Sequence, residues 1–101
     1  QHDASPYSLD TLAYAYYRRG AYAIALSHLD RARDILVESG EPEDPEILLH
    51  RGLALAGMHR TNDAIACVTR ALDTAPGLAH SLTGETVYPL LAPSLSLDTE
   101  M

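Results

Sequence analysis

The five histidines are the first candidates for chemistry in this sequence, because an imidazole can bind a metal ion or transfer a proton near neutral pH. His50 and His59 lie nine residues apart, and His28 belongs to a different predicted helix. A metal site on one helix face takes two histidines at positions i and i+4, and no pair in the chain has that spacing. We therefore interpret the histidines as polar surface or groove-lining side chains and expect no metal site.

Cys67 is the single cysteine of the chain and its one candidate thiol nucleophile. A nucleophilic thiol needs a base beside it and a lowered pKa, and the sequence spacing places no histidine near Cys67. We expect a small side chain that is buried or half-buried. A single cysteine excludes an intrachain disulfide and a cysteine metal cluster, and it is compatible with both the cytoplasm and the periplasm.

The acidic run EPEDPE, residues 41–46, is the remaining cluster of potential ligands. Calcium loops alternate their ligands over about a dozen residues around a central glycine, whereas two prolines interrupt this run. Asp44 is placed instead to cap a helix, and Glu46 lies near the positive end of that helix. The sequence contains no glycine-rich phosphate loop. We therefore predict that the chain is not an enzyme and that it uses no cofactor.

The charge balance of the chain is acidic, with 14 Asp and Glu, seven Arg and no Lys, for a formal net charge of −7. Such a chain repels phosphate backbones and anionic lipid surfaces, so we expect no nucleic-acid partner. No stretch approaches the run of about 20 apolar residues that spans a membrane. No signal peptide opens the sequence, which begins with Gln1, and we expect a fragment or a processed product of a longer protein.

The apolar pattern is helical along most of the chain. Hydrophobic residues make up 47% of the 101 residues without any Trp or Phe, so the core must consist of Leu, Ala and Tyr. Ser5 and Asp44 each precede a proline, a combination that is typical of a helix start. Gly20 and Gly40 lie where helices end. The predicted helices span about 6–19, 22–39, 45–58 and 62–74.

An internal repeat of 39 residues links the first and second helix pairs. Small residues recur at this interval in the first helix, where Ala13 aligns with Gly52, and in the second, where Ala25 aligns with Ala64. Small side chains at facing positions let two antiparallel helices approach to the short end of the usual separation of about 8–10 Å. The repeat therefore predicts two similar helical hairpins.

The segment from residue 45 to residue 77, PEILLHRGLALAGMHRTNDAIACVTRALDTAPG, resembles one unit of the tetratricopeptide repeat (TPR) family. The family pattern has a large, a small and a large residue in the first helix, then alanine, a bulky residue, alanine and a closing proline. The matching residues are Leu48, Gly52, Leu55, Ala64, Val68, Ala71 and Pro76. Arg51 departs from the pattern, because the family usually has leucine at that position.

A second match covers residues 6–39, PYSLDTLAYAYYRRGAYAIALSHLDRARDILVES, in which Val37 stands in place of the closing proline. The matching positions are Leu9, Leu12, Ala13, Tyr16, Gly20, Tyr22, Ala25, Leu29 and Ala32. The resemblance implies an all-α fold of antiparallel helix-turn-helix pairs, stacked as a short right-handed solenoid. We expect one domain over residues 1–101, with unit one at about 6–39 and unit two at about 45–76.

The C-terminal segment, residues 77–101, does not continue the repeat. A stacked pair leaves its last apolar face uncovered, so a solenoid needs a cap. We predict a short helix near 77–83 that covers unit two, with Val87, Leu90 and Leu91 extending the cover. The segment APSLSLDTE, residues 92–100, is interpreted as a tail.

The TPR resemblance implies a concave surface, lined by the first helix of each pair, where ligands usually bind. Helix geometry assigns Leu9, Leu12, Ala13 and Tyr16 to the buried stripe of unit one. The residues expected to line a peptide-binding groove are Tyr7, Asp10, Tyr14, Tyr17, Arg18, Leu49, His50 and Leu53. Tyrosine and arginine are enriched at binding hot spots.

The expected ligand follows from the residue types on this wall. TPR modules that bind the C-terminal carboxylates of heat-shock chaperones use lysine and asparagine there, whereas this chain has Asp10, Tyr14 and His50. An apolar or aromatic-rich segment, or a helix of a partner, is the better hypothesis. In the alternative interpretation, Tyr14 and Tyr17 only cover their neighbours in the stack.

Three functional hypotheses follow. The first is a non-enzymatic protein-interaction module, a part of a larger protein; the TPR resemblance and the use of arginine instead of lysine suggest a bacterial type. The second is self-assembly as a homodimer or larger oligomer through the leucine-rich C-terminal segment, because two units are fewer than the three that a solenoid usually needs. The third is a docking or regulatory appendage of an enzyme that lies outside this chain.

Overall fold

Residues 5–95 are described by a computed structural model, and they form an all-α structure without a β-strand. The helices are α1 (Pro6–Arg18), α2 (Tyr22–Glu38), α3 (Pro45–Gly57), α4 (Thr61–Thr74), α5 (Ala79–Leu82) and α6 (Tyr88–Leu95). A 3₁₀ turn, Pro76–Leu78, leads into α5. The four helices predicted from the pattern are confirmed, and every boundary lies within one residue of its predicted position.

The starts of α1 and α3 are built as the sequence predicts. The Ser5 hydroxyl accepts the amide of Ser8 at 3.0 Å, and Oδ1 of Asp44 accepts the amides of Glu46 and Ile47 at 2.9 and 3.1 Å. Each cap precedes a proline at the first helical position, where the missing N–H leaves no hydrogen bond unmade. Helices α2 and α4 have no side-chain cap, because each follows a tight turn directly.

The turns inside the two hairpins have the same hydrogen bonds at an interval of 39 residues. The amide of Gly20 donates to the carbonyl of Tyr17 at 2.9 Å, and the amide of His59 donates to the carbonyl of Ala56 at 3.0 Å. The next amide in each turn donates to the carbonyl five residues earlier: Ala21 to Tyr16 and Arg60 to Leu55, at 2.9 Å in both cases. His59 takes the left-handed backbone of Gly20, with φ of 64° against 82°, which costs a residue with a side chain about 1 kcal/mol.

The core lies both within each helix pair and between the two pairs, and it uses small residues at the closest approaches. Helix α1 packs along α2 and α3 along α4, while α3 also contacts α1 and α2. Ala13, Ala25 and Ala64 are fully buried. A Cβ atom added at Gly52 would lie 2.6 Å from Cγ2 of Val68 and 3.1 Å from the carbonyl oxygen of Ala64. Helices α3 and α4 therefore meet at a distance that only glycine permits at this position.

The C-terminal segment packs onto unit two through three buried side chains, Leu82, Val87 and Leu91, and α6 lies against α4. The 3₁₀ turn and α5 confirm the short helix expected near residues 77–83, although Leu90 is exposed. The tail interpretation is wrong for residues 92–95, which belong to α6; residues 96–100 lie outside the described part. Pro89 stands in the first turn of α6, where proline is tolerated.

The side of unit one that faces away from unit two differs from the expectation. Leu12 was assigned to the buried stripe, but its side chain is 44% exposed, and Ile24 is 49% exposed. Tyr16 is half-buried, and its ring stacks on His28 with the ring centroids 5.6 Å apart. Leu12 precedes Tyr16 by one turn, and Ile24 precedes His28 by one turn, so all four belong to one face. No other described helix covers this face, which we call the Leu12–Ile24 face.

We predict that Gly52→Ala lowers the free energy of unfolding by about 1 kcal/mol, because crowding against Val68 and Ala64 outweighs the better helix propensity of alanine. Urea denaturation followed by circular dichroism measures the change. Gly77→Ala is the matched control, since no heavy atom lies within 4 Å of a Cβ at that position. A Gly52→Ala protein as stable as the control would contradict the close approach of α3 and α4.

Candidate functional site

A cleft of about 430 Å³ opens between α1, α3 and the C-terminal segment that contains α5. We call it the α1–α3 cleft. The structure brings six of the eight predicted groove residues to it, namely Tyr7, Asp10, Tyr14, Leu49, His50 and Leu53. Its other lining residues are Thr11, Glu46, Leu78, Ser81 and Glu85. The cleft therefore takes its walls from three elements that are distant in sequence.

Helix α3 forms the bottom of the cleft, and α1 forms its rim. Leu49 and Leu53 lie at the bottom, but their side chains are only 2% and 1% exposed, so they belong mainly to the core. Tyr7 stands at the rim with 58% of its surface exposed. A bound segment would therefore contact the aromatic and polar walls more than the leucines, and Tyr7 is the most accessible apolar surface.

Tyr14 connects the walls of the cleft. Its hydroxyl donates to Oε2 of Glu85 at 2.6 Å, and its ring lies 4.8 Å from the His50 ring, centroid to centroid. Burial of the phenol and its hydrogen bond to Glu85 raise the pKa of Tyr14, while the nearby guanidinium of Arg18 lowers it. The hydroxyl is thus protonated at neutral pH and holds the segment between α5 and α6 against α1.

A second polar contact joins α1 and α3 across the cleft. The Nδ1 atom of His50 lies 2.5 Å from Oδ1 of Asp10, and both side chains are mostly buried. The imidazole tautomer with its proton on Nδ1 donates across this contact, because an ionised carboxylate only accepts hydrogen bonds. The Asp10–His50 pair fixes the relative position of the two helices at the cleft wall.

Tyr17 was predicted to line the groove, but it lies in the core and not in the cleft lining. Its side chain is 5% exposed and lies between the rings of Tyr14 and Tyr22, at centroid distances of 5.5 and 5.8 Å. The buried stripe of α1 runs through Leu9, Ala13 and Tyr17, at intervals of four residues. Both this stripe and the predicted one fit a helix, and the contacts of α1 with α2 and α3 decide between them.

The Tyr17 hydroxyl is buried and has no hydrogen-bond partner among the described residues. Burial is the main cause that raises its pKa far above the usual value, and the closeness of the hydroxyl to the Glu85 carboxylate adds to it, although the two groups do not meet the geometry of a hydrogen bond. Arg18 also lies outside the cleft lining. It is exposed, and its guanidinium carbon stands 5.9 Å from the centre of the Tyr14 ring.

A polar cluster on the other side of α3 explains the unusual Arg51. Its Nε donates to Oδ1 of Asp30 on α2 at 2.9 Å, and Nη1 lies 3.6 Å from Sγ of Cys67 on α4. Burial raises the pKa of the Cys67 thiol, although the positive charges of Arg51 and Arg70 oppose the shift. The thiol is therefore protonated at neutral pH, a state that does not favour a nucleophile.

Glu85 is the residue of the cleft that the sequence pattern missed most clearly. Its contact with Tyr14 spans 71 residues, and it follows α5 in a short irregular stretch without periodicity. Leu78 and Ser81 lie in the 3₁₀ turn and α5, which the sequence assigned to the cap of unit two and not to a groove wall. The signal that could have found these residues is the sequence directly after Pro76, which begins like the first helix of a third repeat unit, with Leu78 and Leu82.

Within residues 5–95, no group of three or more His, Cys, Asp or Glu side chains is placed to hold a metal ion. In the same part of the chain, no helix has both the length and the apolar composition that crossing a membrane requires. Comparisons with protein-family models, with curated proteins and with solved structures each found no match for this chain.

We predict opposite effects for two Tyr→Phe substitutions on α1. Tyr17→Phe raises the free energy of unfolding by about 1 kcal/mol, because it removes a buried hydroxyl without a partner. Tyr14→Phe lowers it by about 1 kcal/mol, because the half-buried carboxylate of Glu85 loses its donor. Urea denaturation of both variants measures the difference. A Tyr17→Phe protein destabilised as much as Tyr14→Phe would show that the Tyr17 hydroxyl is hydrogen-bonded in solution.

Proposed function

We propose that this chain is a non-enzymatic protein-interaction module, built as a short TPR-like solenoid, and that the α1–α3 cleft binds a peptide or helical segment of a partner protein. The repeated turn supports the solenoid, since its hydrogen bonds recur at the same 39-residue interval as the sequence pattern. Gly52, which has no side chain and aligns with Ala13, supports two hairpins in which the paired helices approach equally closely.

The single observation that carries the binding proposal is the cleft itself, with aromatic and polar walls from α1, α3 and the C-terminal segment. Its volume of about 430 Å³ accommodates several side chains of a bound segment. Two polar contacts, Tyr14 with Glu85 and Asp10 with His50, hold the walls in place before a ligand arrives. A preorganised site loses less conformational entropy on binding.

A non-enzymatic role agrees with the chemistry of the candidate nucleophile. Cys67 is half-buried beside Arg51, with a raised pKa, and it belongs to a separate cavity between α2, α3 and α4. The imidazole of His50, the one histidine of the cleft, is already engaged by Asp10. Neither residue is arranged with a base or a nucleophile of the kind that covalent catalysis requires.

We predict that peptides selected on this protein from a random display library bind in the cleft and lose binding when the cleft is filled. Thr11→Trp places a large ring at the exposed lining position Thr11, and we expect it to weaken binding at least ~10-fold. Ser27→Trp adds the same ring at an exposed position of α2 outside the cleft. Fluorescence anisotropy with a labelled peptide measures the affinity of each variant.

Two outcomes would overturn the cleft as a binding site. The first is a set of selected peptides that bind Thr11→Trp as tightly as the unmodified protein. The second is a selection that enriches no peptide sensitive to Thr11→Trp. Circular dichroism of both tryptophan variants shows that a loss of binding does not come from a loss of fold.

Self-assembly is the second candidate function, and it has two candidate seams: the exposed Leu12–Ile24 face and the C-terminal segment expected from the sequence, on which Leu90 is 47% exposed. Leu82 and Leu91 are fully buried within the chain and are not available to a partner. We predict that Ile24→Glu shifts any dimer to monomer in sedimentation equilibrium, because a carboxylate on an apolar interface is poorly solvated. A monomer at tens of micromolar for the unmodified protein would exclude this function.

A further inference from the structure

The charges of the α1–α3 cleft are of one sign. Its lining contains the carboxylates Asp10, Glu46 and Glu85 and no arginine, and His50, its one basic group, contacts Asp10. Two other cavities of the described residues each include arginines: Arg33 and Arg51 in one, Arg51 and Arg60 in the other. Of these three cavities, the α1–α3 cleft therefore has the most negative lining, in a chain whose formal net charge is −7.

The carboxylates differ in how far they are already engaged. Asp10 is mostly buried and contacts His50. Glu46 is exposed at the first turn of α3. Glu85 accepts the Tyr14 hydroxyl through Oε2, and a carboxylate has acceptor sites beyond a single hydrogen bond. Glu46 and Glu85 therefore offer oxygens to a cation that enters the cleft.

A contact within the chain shows that a guanidinium group suits a tyrosine ring beside a carboxylate. The guanidinium of Arg18 lies over the Tyr14 ring, at 5.9 Å from its centre, and its Nη1 is 3.5 Å from the Tyr14 hydroxyl that bonds Glu85. A cation over a tyrosine face beside a carboxylate is attracted by both. Tyr7 presents a second, largely exposed ring on the same wall, and no described arginine is placed over it.

We propose that the occupant of the α1–α3 cleft is a basic segment of a partner protein, with Arg or Lys side chains directed at Glu46, Glu85 and the Tyr7 ring. This inference rests on the proposed function, because it assumes that the cleft binds a segment at all. It replaces the general expectation of an apolar or aromatic-rich ligand with a defined charge, since apolar side chains alone would leave the carboxylates without a partner.

The test uses three synthetic peptides of about ten residues that share their apolar positions and carry Arg, Gln or Glu at all others. Anisotropy titrations at about 50 and about 200 mM salt cover the range in which screening of exposed charges increases. We expect the Arg peptide to bind at least ~10-fold more tightly than the Gln peptide, and the Glu peptide most weakly. The preference is expected to shrink at the higher salt concentration.

Two variants of equal net charge separate the cleft from the charge of the whole chain. Glu46→Gln with Glu85→Gln removes two cleft carboxylates, and Gln at residue 85 keeps an oxygen that accepts from Tyr14. Glu38→Gln with Asp73→Asn removes two exposed carboxylates that do not line the cleft. We expect the first pair to weaken the Arg peptide ~10-fold and the second less than ~3-fold.

The outcomes distinguish this inference from the function on which it rests. Equal binding of the Arg and Gln peptides, with Thr11→Trp blocking both, overturns the basic ligand and leaves the cleft as a binding site. Equal losses from the two double variants also overturn it, because the attraction then belongs to the whole chain. Binding of the Arg peptide that Thr11→Trp does not affect overturns both. Absence of binding by all three peptides, while library-selected peptides bind in the cleft, overturns the basic ligand alone.

Discussion

Helix α3 buries eight of its 13 residues, because α1, α2 and α4 all contact it. Gly52 allows the close approach of α4. The neighbouring His50 and Arg51 form polar contacts in different directions, to Asp10 on α1 and to Asp30 on α2. The positions of the other three long helices, and therefore of the cleft, depend on this one helix being covered on most of its surface.

The cleft exists because the C-terminal segment contacts α1 through Glu85, between Leu82 and α6, the two parts of the segment that cover unit two. Leu82 and Leu91 anchor the segment in the core, while the hydrogen bond from Tyr14 to Glu85 ties its irregular part to the opposite wall. The segment thus combines two roles, since it shields apolar surface at the end of the helix stack and supplies one wall of the cleft.

The residues of the cleft divide into those that build it and those that are available to a ligand. Tyr14, Asp10 and His50 contact one another or the opposite wall, and Leu49 and Leu53 are nearly inaccessible. Tyr7 and Glu46 remain exposed. This division favours recognition by charge and an aromatic face at the rim over insertion of a large apolar side chain into the bottom.

The sequence by itself determined the four long helices, the caps of α1 and α3, the turns, the small residues at the helix contacts and six residues of the cleft, because periodicity, capping and turn chemistry are local. It did not determine which of two helical stripes of α1 is buried. Tyr17 is in the core and Leu12 is exposed because α3 covers one side of α1 and no described helix covers the other. Glu85 likewise entered the cleft only through a contact across 71 residues, which no local pattern encodes.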